Sequence, residues 1–268
     1  VKVTIDAPVE SVKEMEDQLK QTFHLKEVFV SPNLVDDEEI NLRDTCRALA
    51  GNLDKYIIDN TVVAVSWGNT LNCLAGQIQP LKAKDIKVVQ LNGGVAKSAS
   101  STGASQIVDA LTMAGHGIGY MFPVPAIVDS KHTSEILQEE TQVKNVLRLA
   151  KEAEVSIFSI GALSKDSILY EVEYLKDEDF QALEKNKAVG DIASRYFDIN
   201  GNIALKELDD RVVGFGLEEL REKEWTIAIA VGVNKVDAII GALRAGFMNV
   251  LYTDEKTARE ILNRNLLG

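Results

Sequence analysis

Three segments of this sequence carry an apolar run into a helix-like pattern through small and polar residues, an arrangement suited to holding an anion. The first is Val65-Ser66-Trp67-Gly68-Asn69-Thr70-Leu71. Free N–H groups at a helix start, a flexible glycine and hydroxyl side chains such as Ser66 and Thr70 can together surround a phosphate there. The second is Leu91-Asn92-Gly93-Gly94, where paired glycines permit close backbone approach and the Asn92 amide can donate and accept toward sugar hydroxyls. The third is Val231-Gly232-Val233-Asn234-Lys235, in which a lysine opens a helix against its dipole, and a phosphate in a neighbouring cleft accounts for that cation. Each feature has a plainer use as well, in tight packing, in turns or as a solvated lysine. Agreement among the three junctions is what favours a binding cleft.

Two further segments add candidates. The Ser- and Thr-rich stretch from Lys97 to Ser105 ends in Ser101-Thr102-Gly103, where the hydroxyls serve chiefly as helix caps and Thr102 is a secondary ligand contact. Asp191, in Ala188-Val189-Gly190-Asp191-Ile192, offers a carboxylate able to accept two sugar hydroxyl protons, or to cap or be solvated. No catalytic set accompanies them. His24, His116 and His132 stand beside no Ser or Cys in a nucleophile arrangement, and the sequence lacks the zinc-protease, P-loop and dinucleotide-binding motifs. The two cysteines, Cys46 and Cys73, lie in helix-like apolar patterns without metal spacing, so buried reduced thiols are expected, with no metal and no cofactor.

The elements that must position these residues alternate regularly. Apolar runs at Val62–Ser66, Ile86–Leu91, Gly117–Phe122, Val155–Ile160, Trp225–Val231 and Asn249–Tyr252 lack polar alternation, as strands do when helices cover both faces of a sheet. Helices are predicted over Asp36–Ile58, Thr70–Gln79, Ser101–Ala114, Ser134–Ala153, Asp177–Asn186, Lys235–Ala245 and Asp254–Asn263. Ahead of them, Ala7–Phe23 reads as an acidic amphipathic helix followed by a short strand at Glu27–Val30, either a sheet edge or a connector. Between Lys176 and Arg221 the rhythm breaks at several glycines and a Phe197-Asp198-Ile199-Asn200-Gly201 turn, which predicts an inserted hairpin subregion partly roofing a pocket. The expected fold is an α/β three-layer α/β/α sandwich with a mainly parallel sheet. Residues 1–59 form its N-terminal helical and connector part, and residues 60–268 form the binding unit.

Composition bounds the function. With 46% hydrophobic and 26% charged residues the chain is an ordinary globular one, and a net charge of −12 argues against gripping nucleic acid directly. No apolar run of membrane-spanning length or basic leader occurs, so a cytoplasmic protein without membrane contact is expected. The chain opens at Val1 directly before a helix signal, which suggests a fragment with a segment upstream.

Taken in order, the motifs resemble the effector-binding domain of SorC-family transcriptional regulators. They are Val65 to Thr70, Leu91 to Gly94, Pro123-Val124-Pro125-Ala126, Ser159-Ile160-Gly161, Val189 to Ile192, Phe197 to Gly201, Asp210 to Gly214, Leu217 to Leu220, Lys235 to Gly246 and Leu251 to Asp254. The resemblance implies a fold related to sugar-phosphate isomerases and a phosphosugar effector. It also implies a homo-oligomer, dimer or tetramer, bound to operator DNA through an N-terminal helix-turn-helix domain outside this chain. By position, it implies that Gly68, Asn69 and Thr70 with Lys235 hold the phosphate, that Asn92, Thr102 and Asp191 face the sugar, and that Gly93, Gly94 and Gly161 shape the cleft. Trp67 and Val233-Asn234 replace residues that are often small in such proteins, so the phosphate corner is narrower or differently lined. Asn92 stands where several relatives are basic, which excludes imine formation there and argues against a bisphosphate. A non-catalytic sensor is expected; the competing reading is an isomerase or lactonase of the same fold with Asp191 as general base.

Overall fold

The computed structural model describes residues 9–95 and 104–266, and Thr102 lies outside them. Its strands are β1 (Glu27–Ser31), β2 (Val62–Val65), β3 (Lys87–Gln90), β4 (Ile118–Tyr120), β5 (Val155–Ser159), β6 (Gly161–Ala162), β7 (Ala188–Ile192), β8 (Arg195–Asp198), β9 (Trp225–Ile229) and β10 (Val250–Asp254). Its helices are α1 (Val9–Phe23), α2 (Glu38–Tyr56), α3 (Asn69–Ala75), α4 (Ala104–Ala114), α5 (Lys131–Glu139), α6 (Thr141–Glu152), α7 (Ile168–Glu171), α8 (Asp177–Lys185), α9 (Lys206–Asp209), α10 (Val236–Arg244) and α11 (Glu255–Leu266).

Seven strands form one sheet in the order β1-β10-β9-β5-β2-β3-β4, and every pairing in it is parallel. Successive residues of each strand feed opposite layers. Val63, Val65, Val88, Ile157 and Ile227 pack with Cys46, Leu49 and Leu53 of α2, Leu71 and Leu74 of α3, and Ile107 and Leu111 of α4. Ala64, Val89, Phe158, Ala228 and Leu251 pack on the other side with Leu19 of α1, Val146 and Leu149 of α6, Ile239 of α10 and Ile261 of α11. Burial on both faces is why these strands read as unbroken apolar runs, each Val, Leu or Ile contributing roughly 1.5–3 kcal/mol.

Several boundaries differ from the sequence reading. Glu27–Ser31 pairs with β10 in register Val28↔Leu251, so it is a sheet edge and not a connector. The single helix predicted over Ser134–Ala153 is two helices, broken where Glu140 takes an extended conformation (φ −61°, ψ 136°). Ser130, not Ser134, caps the first of them, accepting the Thr133 N–H at 3.1 Å. Helix α3 stops at Ala75, short of the predicted Gln79.

Two features of the topology make a site. The chain proceeds from β2 to β3 on one side and from β5 to β9 on the other, and β2 and β5 are neighbours, so a crevice opens at their carboxyl ends. A small antiparallel sheet, β6-β7-β8, stands over that end. Its β7–β8 turn is Ala193-Ser194, both in the left-handed region (φ 52° and 71°), which gives the twist a two-residue hairpin needs.

Candidate functional site

The crevice has a volume of about 270 Å³. Strand ends supply its floor: Ser66 to Thr70 after β2, Asn92 after β3, Ser159 to Ala162 from β5 into β6, and Asn234 and Lys235 after β9. The hairpin contributes Asp191, Ala193 and Ser194, and the stretch leading into α7 contributes Ser164, Asp166, Ser167, Ile168 and Leu169.

In this crevice, Gly68 (φ 132°) precedes α3, a conformation that L side chains rarely adopt. Having no side chain, Gly68 caps nothing, and the first helical N–H to find a carbonyl is that of Asn72, on Gly68 at 2.9 Å. The N–H groups of Asn69, Thr70 and Leu71 are therefore left without intrahelical acceptors. Trp67 walls this corner, its Nε1–H donating to the Gly93 carbonyl at 2.8 Å.

Lys235 stands at the N-cap of α10, as the sequence suggested. Val233–Lys235 form a 3-10 turn after Gly232 (φ 119°), and α10 begins at Val236. Burial holds the Lys235 ammonium below the usual lysine range, while the carboxylates of Glu38 and Asp191 pull it back up. Among the described residues the Lys235 ammonium makes no hydrogen bond or ion pair, although its backbone N–H donates to the Gly232 carbonyl at 3.1 Å, which leaves the three ammonium donors for a ligand.

In the same crevice, burial pushes the Asp191 carboxyl up to about 6, against the Ser194 backbone N–H at 3.0 Å and the charge of Lys235. Gly161 makes room for it: a Cβ there would stand 2.2 Å from Asp191 Oδ1. Asn92 is 2% exposed; its amide nitrogen donates to Ser194 Oγ at 3.0 Å, and its Oδ1 is buried with no partner. The Asn92 backbone carbonyl accepts from Gln90 Nε2 at 2.7 Å, which fixes the backbone that carries this side chain. An unsatisfied buried acceptor costs about 1–3 kcal/mol, which a ligand hydroxyl would recover.

Of the residues predicted from sequence, Ser66, Gly68, Asn69, Thr70, Asn92, Gly161, Asp191 and Lys235 meet around this crevice. Gly93 and Gly94 do not line it. A Cβ on Gly93 would lie 2.4 Å from the Pro125 carbonyl oxygen, so that glycine serves chain packing, and Gly94 exchanges backbone bonds with Val124 and Ala126. The sequence reading missed Ser159, Ser164, Asp166, Ser167 and Ser194 as lining residues, while the Trp67 wall is the altered corner it anticipated.

The chain matches the model of the Sugar-bind family, a sugar-binding domain, over residues 7–263. The chain belongs to this family. Its relatives are regulators: it is 31% identical over 263 residues to the deoxyribonucleoside regulator of Bacillus subtilis, covering 98% of this chain and 84% of the relative. It is 30% identical over 269 residues to the transcriptional regulator LsrR of Escherichia coli K12, covering 98% and 81%. The full-length sorbitol operon regulator SorC of Klebsiella pneumoniae shares its fold, with a TM-score of 0.88 at 23% identity over 98% of this chain and 84% of that one. This Sugar-bind chain is thus a sugar-binding domain of the kind found in transcriptional regulators, and its relatives support a ligand-sensing role over the isomerase or lactonase of the competing reading. No helix among its described residues is long and apolar enough to cross a membrane.

Proposed function

We propose that this domain reversibly binds a monophosphorylated sugar without turning it over, and that binding controls operator recognition by a helix-turn-helix domain outside this chain in a cytoplasmic homo-oligomer. The observation that carries this reading is the donor and acceptor set gathered in one crevice. The N–H groups of Asn69 and Thr70 and the unpaired Lys235 ammonium line it together with the Asp191 carboxylate and the unpartnered Asn92 Oδ1. The cationic and N–H donors suit phosphate, the two acceptors suit hydroxyls. Asn92 has no amine, so no imine forms at that position. Gly68, Asn69, Thr70 and Lys235 take the phosphate, and Ser66 and Gly161 shape the floor beneath the sugar.

Calorimetric titration with ribose 5-phosphate, glucosamine 6-phosphate and their unphosphorylated sugars tests it. A hydrogen bond to a charged group is worth about 1.5–3 kcal/mol, so Lys235→Ala is expected to weaken the phosphorylated ligand by about 10- to 100-fold. The plain sugar is expected to change little. Equal weakening of both would remove Lys235 from the phosphate site, and product formed at an enzymatic rate would defeat the sensor reading.

A further inference from the structure

We propose that Cys46 and Cys73 are a peroxide-responsive dithiol that closes into a disulfide between α2 and α3, directly behind the phosphate corner.

Cys46 is fully buried on α2, and its thiol donates to the Thr70 carbonyl of α3 at 3.7 Å. In an α-helix a carbonyl points along the axis toward the side chains three and four residues ahead. From Thr70 the third is Cys73, so Cys46 Sγ meets α3 on the very turn that carries the second thiol. Each thiol is the strongest influence on the other's ionisation, and neither is in a disulfide. Cys73 is not the buried thiol the sequence suggested; it is partly exposed and hence the one an oxidant reaches.

Their environments assign the roles. The neighbouring Cys46 thiol, and then the charge of Arg43, hold the Cys73 thiol below its usual range, which favours the nucleophilic thiolate; burial and the nearby Glu39 carboxylate oppose them. Cys46, beside Cys73 and buried, is pushed up and held as the thiol, so it gives up its proton only as it attacks. In the first step the Cys73 thiolate attacks one oxygen of hydrogen peroxide. An S–O bond forms, the O–O bond breaks, and the departing hydroxide leaves as water after taking a proton, giving a sulfenic acid. In the second, the Cys46 sulfur attacks that sulfenic sulfur: the S–S bond forms, the S–O bond breaks, and hydroxide leaves with the Cys46 proton as a second water. Two thiols lose two electrons and one peroxide gains them.

The step ends the Cys46–Thr70 contact and pins α3 to α2. Because Thr70 belongs to the crevice and α2 also carries Glu38, which faces Lys235, both helices that meet at the phosphate corner are tied by one bond.

The whole chain is treated with stoichiometric hydrogen peroxide, quenched, digested without reductant and weighed. The expected product is one intramolecular cross-link joining the Cys46 and Cys73 peptides, two hydrogen masses light. Thiol titration is expected to fall from two per chain to none, and the melting temperature to rise and return on addition of dithiothreitol. Cys46→Ser is expected to leave a dimedone-reactive sulfenic acid on Cys73. Both thiols surviving peroxide, sulfonic acid on Cys73 without a cross-link, or a cross-link only between two chains would each overturn the proposal. The wild-type mass measurement decides it even where a variant folds poorly.

Discussion

Removing the charge of Asp191 is expected to stabilise the empty domain while damaging its function. Burial raises this carboxyl from 3.8 to about 6, so the folded chain binds the proton more tightly than the unfolded chain. The stabilisation this brings is complete below the unfolded value and is lost as pH rises through about 6. A displacement of that size corresponds to about 3 kcal/mol, and solvent at the crevice mouth reduces it to roughly half. Asp191→Asn has the same shape, still accepts the Ser194 N–H and fits the space left by Gly161, but it never ionises. Relative to the wild type, the variant therefore gains roughly 1.5–3 kcal/mol between pH 4 and pH 8, a rise of about 3–10 °C in relative melting temperature for a chain of this size. Melting both proteins by calorimetry without ligand, at intervals across that range, reads the difference. A difference that stays constant with pH, or is largest at pH 4, would refute the reasoning. Titrated at pH 8, the more stable variant is expected to bind ribose 5-phosphate more weakly, because two charge-assisted hydrogen bonds become neutral ones.

Three other substitutions separate ligand roles from structural ones. Gly161→Ala places a methyl 2.2 Å from Asp191 Oδ1, and displacing that carboxylate is expected to cut affinity for ribose 5-phosphate at least tenfold; an unchanged titration would show that Asp191 does not touch the ligand. Gly93→Ala meets the Pro125 carbonyl oxygen at 2.4 Å, so a loss of about 1–3 kcal/mol in urea unfolding with ligand affinity retained is expected, and the reverse pattern would return Gly93 to the site. Arg195 reaches Asp209 Oδ1 at 2.6 Å and the Phe215 and Gly214 carbonyls at 2.7 and 3.1 Å, with its side chain 10% exposed. Arg195→Ala strands that carboxylate, and urea unfolding is expected to show a loss of about 3–5 kcal/mol; less than 1 would mean that water replaces the guanidinium.

The layers were legible because burial on both faces leaves a mark that period and β-branching reveal, as in Val62–Val65 and Val155–Ser159. Order within the sheet left no such mark. That β5 lies between β9 and β2, and so opens the crevice where it does, depends on pairings between residues as distant as Val65 and Ile157. Local chemistry announced Gly68 and Asp191, since each sits at a break in an apolar run. It did not announce the hairpin turn, where Ala193 and Ser194 adopt left-handed backbone without the Asn-Gly pair that usually marks it. The break at Glu140 is equally silent, with neither proline nor glycine beside it. Gly93 misled for the opposite reason: a glycine needed by a neighbouring carbonyl looks the same in sequence as one needed by a ligand.

Strand β5 runs down the middle of the seven-stranded sheet, and only Ile160 separates it from β6. One uninterrupted length of backbone therefore belongs first to the rigid slab and then to the small roof, where Gly161 faces Asp191 across the β6–β7 ladder and Gly190 approaches Gly161 too closely for any side chain. The roof has no slack of its own at that corner. The roof that carries Asp191 is thus joined to the central strand by the peptide planes around Ile160 and seated on α10, where Gly190 meets Ala238.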